Sequence, residues 1–341
     1  MTKQTPTTRD WLEKANEATQ PEEQIRCYTE AIKLNPKLIL AYFQRGNCYA
    51  NLGQSVNAIE DYDRALHLEP EMIGAYINRG LCHANLDQHE KAVADYSSAV
   101  QLDPENAEIY YYRGNSSVHL EQNEKAIEDF SQAIRLDPAF AYAYGNRGLS
   151  YSNLGQDEKA IFDYDQAARL DPENASIYYN RGNSHAYLRQ HEKAIDDYSR
   201  AISLDPEMGE AYYNRGNCYG HLKQYAKAIE SYSQAIQLEP DIAYAYNNRG
   251  LSYANLGQHD KAIADYDRAI SLDPEMEDAY YNKACSCAFQ DKTKEVLMNL
   301  RLALQFGPQK YHELAGSDTA FAKIRGNADF QNLLQEYCDK C

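Results

Sequence analysis

Residues 143–176 read AYGNRGLSYSNLGQDEKAIFDYDQAARLDPENAS, and this stretch decides the fold because its pattern returns every 34 residues along almost the whole chain. Nine prolines mark the interval, Pro36, Pro70, Pro104, Pro138, Pro172, Pro206, Pro240, Pro274 and Pro308, while only Pro6 and Pro21 lie off it. A fixed period between about 20 and 50 residues belongs to an array of one small unit, not to a single globular core. Within the stretch, Tyr144, Gly148 and Tyr151 stand at i, i+4 and i+7, one face of a helix. Ala160, Ile161, Tyr164 and Ala167 make a second such face, so two amphipathic helices pack on each other. A turn such as Leu52-Gly53-Gln54 separates them. Each repeat closes on Asp-Pro or Glu-Pro, and the proline is expected in the first turn of the next helix. Glu71, Glu105, Glu173, Glu207 and Glu275 would then face the positive end of that helix.

The register divides the chain. Residues 1–6 are a tail, and 7–40 a worn repeat with Trp11, Ile25, Tyr28, Ala31 and Pro36 in place but no glycine. Seven full repeats fill 41–278, beginning at Ala41, Ala75, Ile109, Ala143, Ile177, Ala211 and Ala245. A degenerate eighth covers 279–312, with Lys283-Ala284 replacing Arg-Gly, and 313–341 are read as capping helices through Phe321, Ile324, Phe330, Leu333 and Leu334. Terminal repeats are atypical because one face meets water. Gly46, Gly80, Gly114, Gly148, Gly182, Gly216 and Gly250 recur inside the first helix. Such a glycine costs about 1 kcal/mol against alanine, so a packing return is expected, taken here as close approach of two backbones.

The order aromatic, Gly, Tyr, Ala, aromatic, Ala and Pro, seen as Tyr144, Gly148, Tyr151, Ala160, Tyr164, Ala167 and Pro172, resembles the tetratricopeptide repeat. The chain is similar to its Asn-Arg-Gly-rich members over about residues 7–312. The resemblance implies an all-α, right-handed solenoid of antiparallel helix pairs, with the first helix of each pair lining a concave groove. One departure stands out. Where most of the family carries leucine before the glycine, this chain has Arg45, Arg79, Arg113, Arg147, Arg181, Arg215 and Arg249. Opposite them stand Asp61, Asp95, Asp129, Asp163, Asp197 and Asp265, with Ser231 breaking the series. An ion pair inside each repeat is the expectation, solvated arginine the alternative.

Composition narrows the function. The net charge is −17, from 51 acidic against 34 basic residues, so the summed field disfavours nucleic acid and anionic membranes. No apolar run approaches the ~20 residues needed to span a bilayer, and no signal peptide opens the chain, so a cytoplasmic location is expected. Cys48, Cys82 and Cys218 alternate with Ser116, Ser150, Ser184 and Ser252 at one register place, as small residues filling a helix contact do. Cys285, Cys287, Cys338 and Cys341 have zinc-like composition, but residues i and i+2 of a helix diverge, so no metal and no cofactor are expected. No phosphate loop, nucleophile elbow or His-Glu-x-x-His run is present, and His89, His191 and His259 are placed at the surface in the turn between helices. The expectation is a protein without catalysis.

Carried over from the family place by place, the groove presents three rows. The first includes Phe43, Tyr111, Tyr179 and Tyr213; the second Asn47, Asn115, Asn183 and Asn217; the third Asn51, Asn85, His119, Asn153, Tyr187, His221 and Asn255. Asparagine can bond peptide backbone while tyrosine gives rigid contact area. The alternative is that these side chains bond only to neighbouring repeats. The leading function is a scaffold that holds an extended, neutral-to-basic protein segment, as in assembly of a larger complex. Asn78, Asn146, Asn180, Asn214 and Asn248 resemble one member of the clamp by which some tetratricopeptide proteins bind acidic C-terminal peptides, but the basic members are missing. That chaperone-adaptor role and a self-associating or regulatory subunit are the alternatives. Residues 109–176 also resemble 211–278 at an offset of 102, three repeats, which suits a long partner or two linked motifs.

Overall fold

The structure, a computed structural model, describes residues 6–338, so most of the expected tail and the Cys338 and Cys341 thiols lie outside it. It has two compact units, one ending at Pro172 and one starting at Glu173. The first contains α1 (Thr8–Glu17), α2 (Pro21–Leu34), α3 (Ile39–Asn51), α4 (Ser55–Leu68), α5 (Ile73–Ala84), α6 (His89–Leu102), α7 (Ala107–His119), α8 (Asn123–Leu136), α9 (Ala141–Asn153) and α10 (Asp157–Leu170). The second contains α11 (Ala175–Tyr187), α12 (His191–Leu204), α13 (Gly209–His221), α14 (Tyr225–Leu238), α15 (Ala243–Asn255), α16 (His259–Leu272), α17 (Glu277–Phe289), α18 (Thr293–Phe306), α19 (Pro308–Ser317) and α20 (Ala328–Cys338). Every regular element among the described residues is helical, and each unit is a stack of antiparallel pairs, the all-α solenoid fold.

The glycines pack differently from expectation. A Cβ on Gly46 would lie 2.8 Å from Cε1 of Tyr62, and one on Gly148 would lie 2.9 Å from Cε1 of Tyr164. The first helix gives up a side chain mainly to admit the second helix's ring; at Gly148 and Gly250 a carbonyl, that of Ala160 or Ala262, also comes within 3.2 Å. Burying such a ring returns about 2–3 kcal/mol, more than the ~1 kcal/mol a helical glycine costs. Ala58, Ala92, Ala126 and Ala160, and in the second unit Ala194, Ala228 and Ala262, are fully buried beside these rings.

The proline ladder also sits elsewhere. Leu38 N–H donates to Asn35 O at 3.2 Å and Phe140 N–H to Asp137 O at 3.2 Å, so Pro36 and Pro138 occupy the second place of a β-turn, and α3 and α9 begin three residues later. The fixed φ of proline suits that place. The glutamates after it lie in the turn, where Glu207 N–H and Glu275 N–H donate to Asp205 and Asp273 Oδ1 at 3.0 and 3.1 Å. On the ladder only Pro308 opens a helix, as does Pro21 off it. Between the helices of a pair the chain turns left-handed at Gly53, Gly155 and Gly257, and at Asp87, Glu121, Arg189, Lys223 and Asp291, with φ from 55° to 73°.

At the C-terminal end the next helix, α19, opens at Pro308 itself and not three residues later. α19, a short turn over Thr319–Phe321, and α20 bury Tyr311, Phe321, Phe330 and Leu333 against Tyr281, Leu300 and Leu304, with Ile324 and Leu334 half-buried beside them. At the other end Trp11 and Ile25 pack against Cys27, Tyr28 and Tyr42.

Candidate functional site

The first helices are held at their posts by arginine. Arg147 donates Nε and Nη2 to Asp163 Oδ2 and Oδ1, both at 2.7 Å, and Nη1 to Ser131 Oγ at 3.0 Å. Asp163 lies 16 residues ahead in the same pair and Ser131 16 residues behind in the previous one. Arg45, Arg113 and Arg249 repeat this with Asp61 and Thr29, Asp129 and Ser97, and Asp265 and Ser233; Arg79 uses Asp95 and Asp63. Each guanidinium also stands over the ring three residues before it, as Arg147 does over Tyr144 at 5.6 Å. The ion pair expected inside a repeat is therefore one arm of a bridge between repeats. Its other arm was legible as a row of hydroxyl and carboxylate side chains, Thr29, Asp63, Ser97, Ser131, Ser199, Ser233 and Asp267.

Along the groove the asparagines divide their chemistry. Asn183 Oδ1 accepts from Tyr198 OH at 2.8 Å and from Asn214 Nδ2 at 3.2 Å; Asn217 Oδ1 accepts from Tyr232 OH at 2.9 Å and from Asn248 Nδ2 at 3.1 Å. In the first unit Asn47 Oδ1 accepts from Tyr62 OH and Asn78 Nδ2, and Asn115 Oδ1 from Asn146 Nδ2 alone, because the facing ring is Phe130. The oxygens are thus spent on packing. Of the two amide hydrogens on each, Asn183 and Asn217 turn at most one to a tyrosine hydroxyl of the same helix, Tyr179 and Tyr213. Burial raises the Tyr198 and Tyr232 hydroxyls well above their usual range, so both stay protonated donors.

In the second unit three cavities follow one another along this face. One, of 360 Å³, lies among Tyr179, Asn183, Tyr187, His191, Asn214 and His221. The next, of 310 Å³, lies among Asn217, His221, Tyr225, Asn248 and Asn255. The third, of 480 Å³, lies among Leu251, Asn255, His259, Tyr281, Phe289 and Asp318. No lysine or arginine lines any of them. Cys218 in the first has its thiol pushed up to about 11 by burial, so it is a packing group and not a nucleophile.

A tetratricopeptide repeat model matches residues 39–72, 175–208, 209–242 and 243–276, and a second TPR repeat model matches 85–117, 114–155 and 148–189, together more than half of the chain. The chain belongs to the tetratricopeptide repeat family. Tetratricopeptide proteins generally mediate protein–protein interactions. YrrB, a TPR protein with an unusual peptide-binding site, is 26% identical over 55% of this chain and 97% of its own, with a TM-score of 0.51. Two others share the fold: the C-terminal part of a TPR repeat-containing protein from Cytophaga hutchinsonii at 18% identity, 70% and 98% coverage and TM-score 0.60, and a tetratricopeptide repeat protein from Parabacteroides merdae at 19%, 73% and 98%, and 0.54. No curated protein matches.

Not every expected groove residue in this tetratricopeptide array faces open space. Phe43 packs near Tyr62, with ring centroids 6.0 Å apart, and Tyr111 packs on Phe140 at 4.8 Å. The Tyr111, Tyr179 and Tyr213 hydroxyls accept from Asn146, Asn214 and Asn248. Asn180 is half-buried in α11, while Asn51, Asn85, Asn153 and Asn255 are exposed at the ends of first helices, Asn153 bonded to Asn123 and Asn255 to its own helix. Tyr187 is 76% exposed. The histidines need correction: His89, His191 and His259 open α6, α12 and α16 and stack on His119, His221 and Phe289 at 4.3, 4.7 and 4.8 Å. Cys285 and Cys287 lie within α17, the Cys338 and Cys341 thiols are outside what the structure describes, and no metal-ligand cluster of His, Cys, Asp or Glu occurs among the described residues. Among them, no helix is long and apolar enough to cross a membrane. Leu251 belongs to the second groove row, whereas Asp318 and Phe289 were missed; Asp318 lies beyond the last repeat, where the register gives no signal.

Proposed function

We propose that this chain is a non-catalytic scaffold that holds an extended, neutral-to-basic protein segment along its first helices. The carrying observation is the division of labour at Asn115, Asn183 and Asn217: the oxygen is committed to the next repeat, while at Asn183 and Asn217 at most one of the two amide hydrogens meets a tyrosine hydroxyl of the same helix. Undirected N–H groups beside tyrosine and histidine rings suit peptide carbonyls and apolar side chains. The absence of lysine and arginine from the three cavities, with the net charge of −17, favours a segment that is not acidic. The location and the role in assembly follow from this reading only as expectations.

Aspartate at these places separates packing from binding, since it keeps an acceptor for the neighbouring tyrosine and asparagine but offers no donor. For peptides selected by display on the wild-type chain, Asn183→Asp with Asn217→Asp should weaken binding at least about tenfold, the worth of one to two good hydrogen bonds. The thermal midpoint should hardly move. Unchanged affinity would sink the reading.

A further inference from the structure

The third cavity of the second unit has a different chemistry from the two before it. Its wall is the same wall moved on by 34 residues: Leu251 for Asn217, His259 for Tyr225, Tyr266 for Tyr232 and Phe289 for Asn255. What changes is the side closed by the segment after α19. In the preceding repeats the Tyr179 and Tyr213 hydroxyls meet the amides Asn214 and Asn248, 35 residues on, at 3.3 Å; Tyr179 also lies beside Glu210, but that carboxylate lines neither cavity. At the end of the array the equivalent Tyr281 hydroxyl donates to a carboxylate, Asp318 Oδ2, at 2.8 Å. An amide that offers N–H has been exchanged for an acid that accepts it; no lysine or arginine lines the cavity, and the neighbouring guanidinium, Arg325, is turned to the Asp318 main-chain carbonyl at 2.8 Å and not to its carboxylate.

We propose that this cavity is an anchor for one lysine side chain of the segment held along the groove, its stem lying over Phe289 and Leu251 and its ammonium group meeting Asp318. The proposal rests on the groove reading above and adds a residue type and a place to it. Phe289 is 58% exposed and Leu251 43%, so an apolar stem has surface to cover. Asp318 Oδ2 already accepts from Tyr281 and, at 3.7 Å, from the Cys285 thiol, and Oδ1 accepts from Ala320 N–H at 2.8 Å. Three of about four lone-pair positions are therefore taken, which suits a compact ammonium better than the two-pronged fork of arginine. Burial, with Asp318 beside them, raises both the Tyr281 hydroxyl and the Cys285 thiol, so these neighbours stay neutral donors.

The test uses Nα-acetyl-lysine methylamide and Nα-acetyl-norleucine methylamide as probes, titrated by NMR onto the full chain. The wild type should prefer the lysine probe about tenfold, the worth of one charged hydrogen bond. Asp318→Asn keeps an acceptor for Tyr281 and Ala320 but removes the charge, and it should erase that preference without weakening the norleucine probe. Phe289→Ala should weaken both probes alike. Equal binding of the two probes to the wild type, or a preference that survives Asp318→Asn, overturns the proposal. A groove that holds display-selected peptides whatever their lysine content removes only the anchor; a lysine preference in a chain that holds no peptide removes only the groove.

Discussion

Arg147 and Arg215 occupy the same register place and live in different company. Arg147 faces Asp163, which is 1% exposed, and grips it with two bonds. Arg215 faces Ser231 and makes one bond to it, Nε to Oγ at 3.2 Å, with a second to Ser199 Oγ at 3.2 Å. Yet its guanidinium stands over Tyr212 at 5.3 Å, much as Arg147 stands over Tyr144. The slot between two second helices and the ring beneath it thus place the arginine; the carboxylate adds energy to a position already chosen. At the last pair the chain keeps only the arm between repeats, with Lys283 bonded to Asp267, and a buried Asn299 stands where the aspartate of the other arm would be.

That comparison can be broken most forcefully at Asp163. Replacing it with alanine strands a half-buried guanidinium, and such losses cost about 3 kcal/mol. Urea denaturation should show a fall of that order in the first unit, and an unchanged midpoint would mean that the pair contributes nothing. The reverse change is smaller. Ser231→Asp should give Arg215 the partner its equivalents have and stabilise by about 1 kcal/mol, since the net worth of a new charged bond exceeds a neutral one only modestly. A loss of stability there would show that the slot around Arg215 has closed to a carboxylate.

The smallest effect concerns a second contrast between equivalent places, His191 on His221 against His259 on Phe289. Burial, and then the neighbouring His221, hold the His191 imidazole below its ordinary range. The unfolded chain therefore takes up this proton at a higher pH than the folded one. The contribution is intact above the unfolded value of about 6.5 and is lost as the pH falls through the interval below it. Measured by urea midpoint at about pH 7.5 and 5.5, His191→Phe should lose less stability than the wild type on acidification. Equal losses would show that the stack is indifferent to charge.

Period, helix pairing and fold were legible because one pattern, repeated, averages away local ambiguity. The 3.6-residue faces of residues 143–176 placed the helices, and the arginine row pointed to its aspartates. The proline place was misjudged because Asp-Pro suits both a helix start and a β-turn, and only the bond from residue 140 to 137 decides between them. The fate of the groove asparagines depended on which lone pairs the next repeat consumes, a three-dimensional matter that spacing does not carry. Asp318 was invisible for a different reason: it belongs to no repeat, so no sister position exists to compare it with.

The shared asparagine has a mechanical consequence. Within the second unit, Asn183 and Asn217 fasten one first helix to the next through the same side-chain plane that carries their amide hydrogens. A plane cannot tilt at one edge only. Any flexing of the stack that turns Asn214 or Asn248 away re-aims those hydrogens, and a bound strand that pins them resists the flexing in return. The elasticity of this spring and its grip on a passenger are set by the same few amide groups.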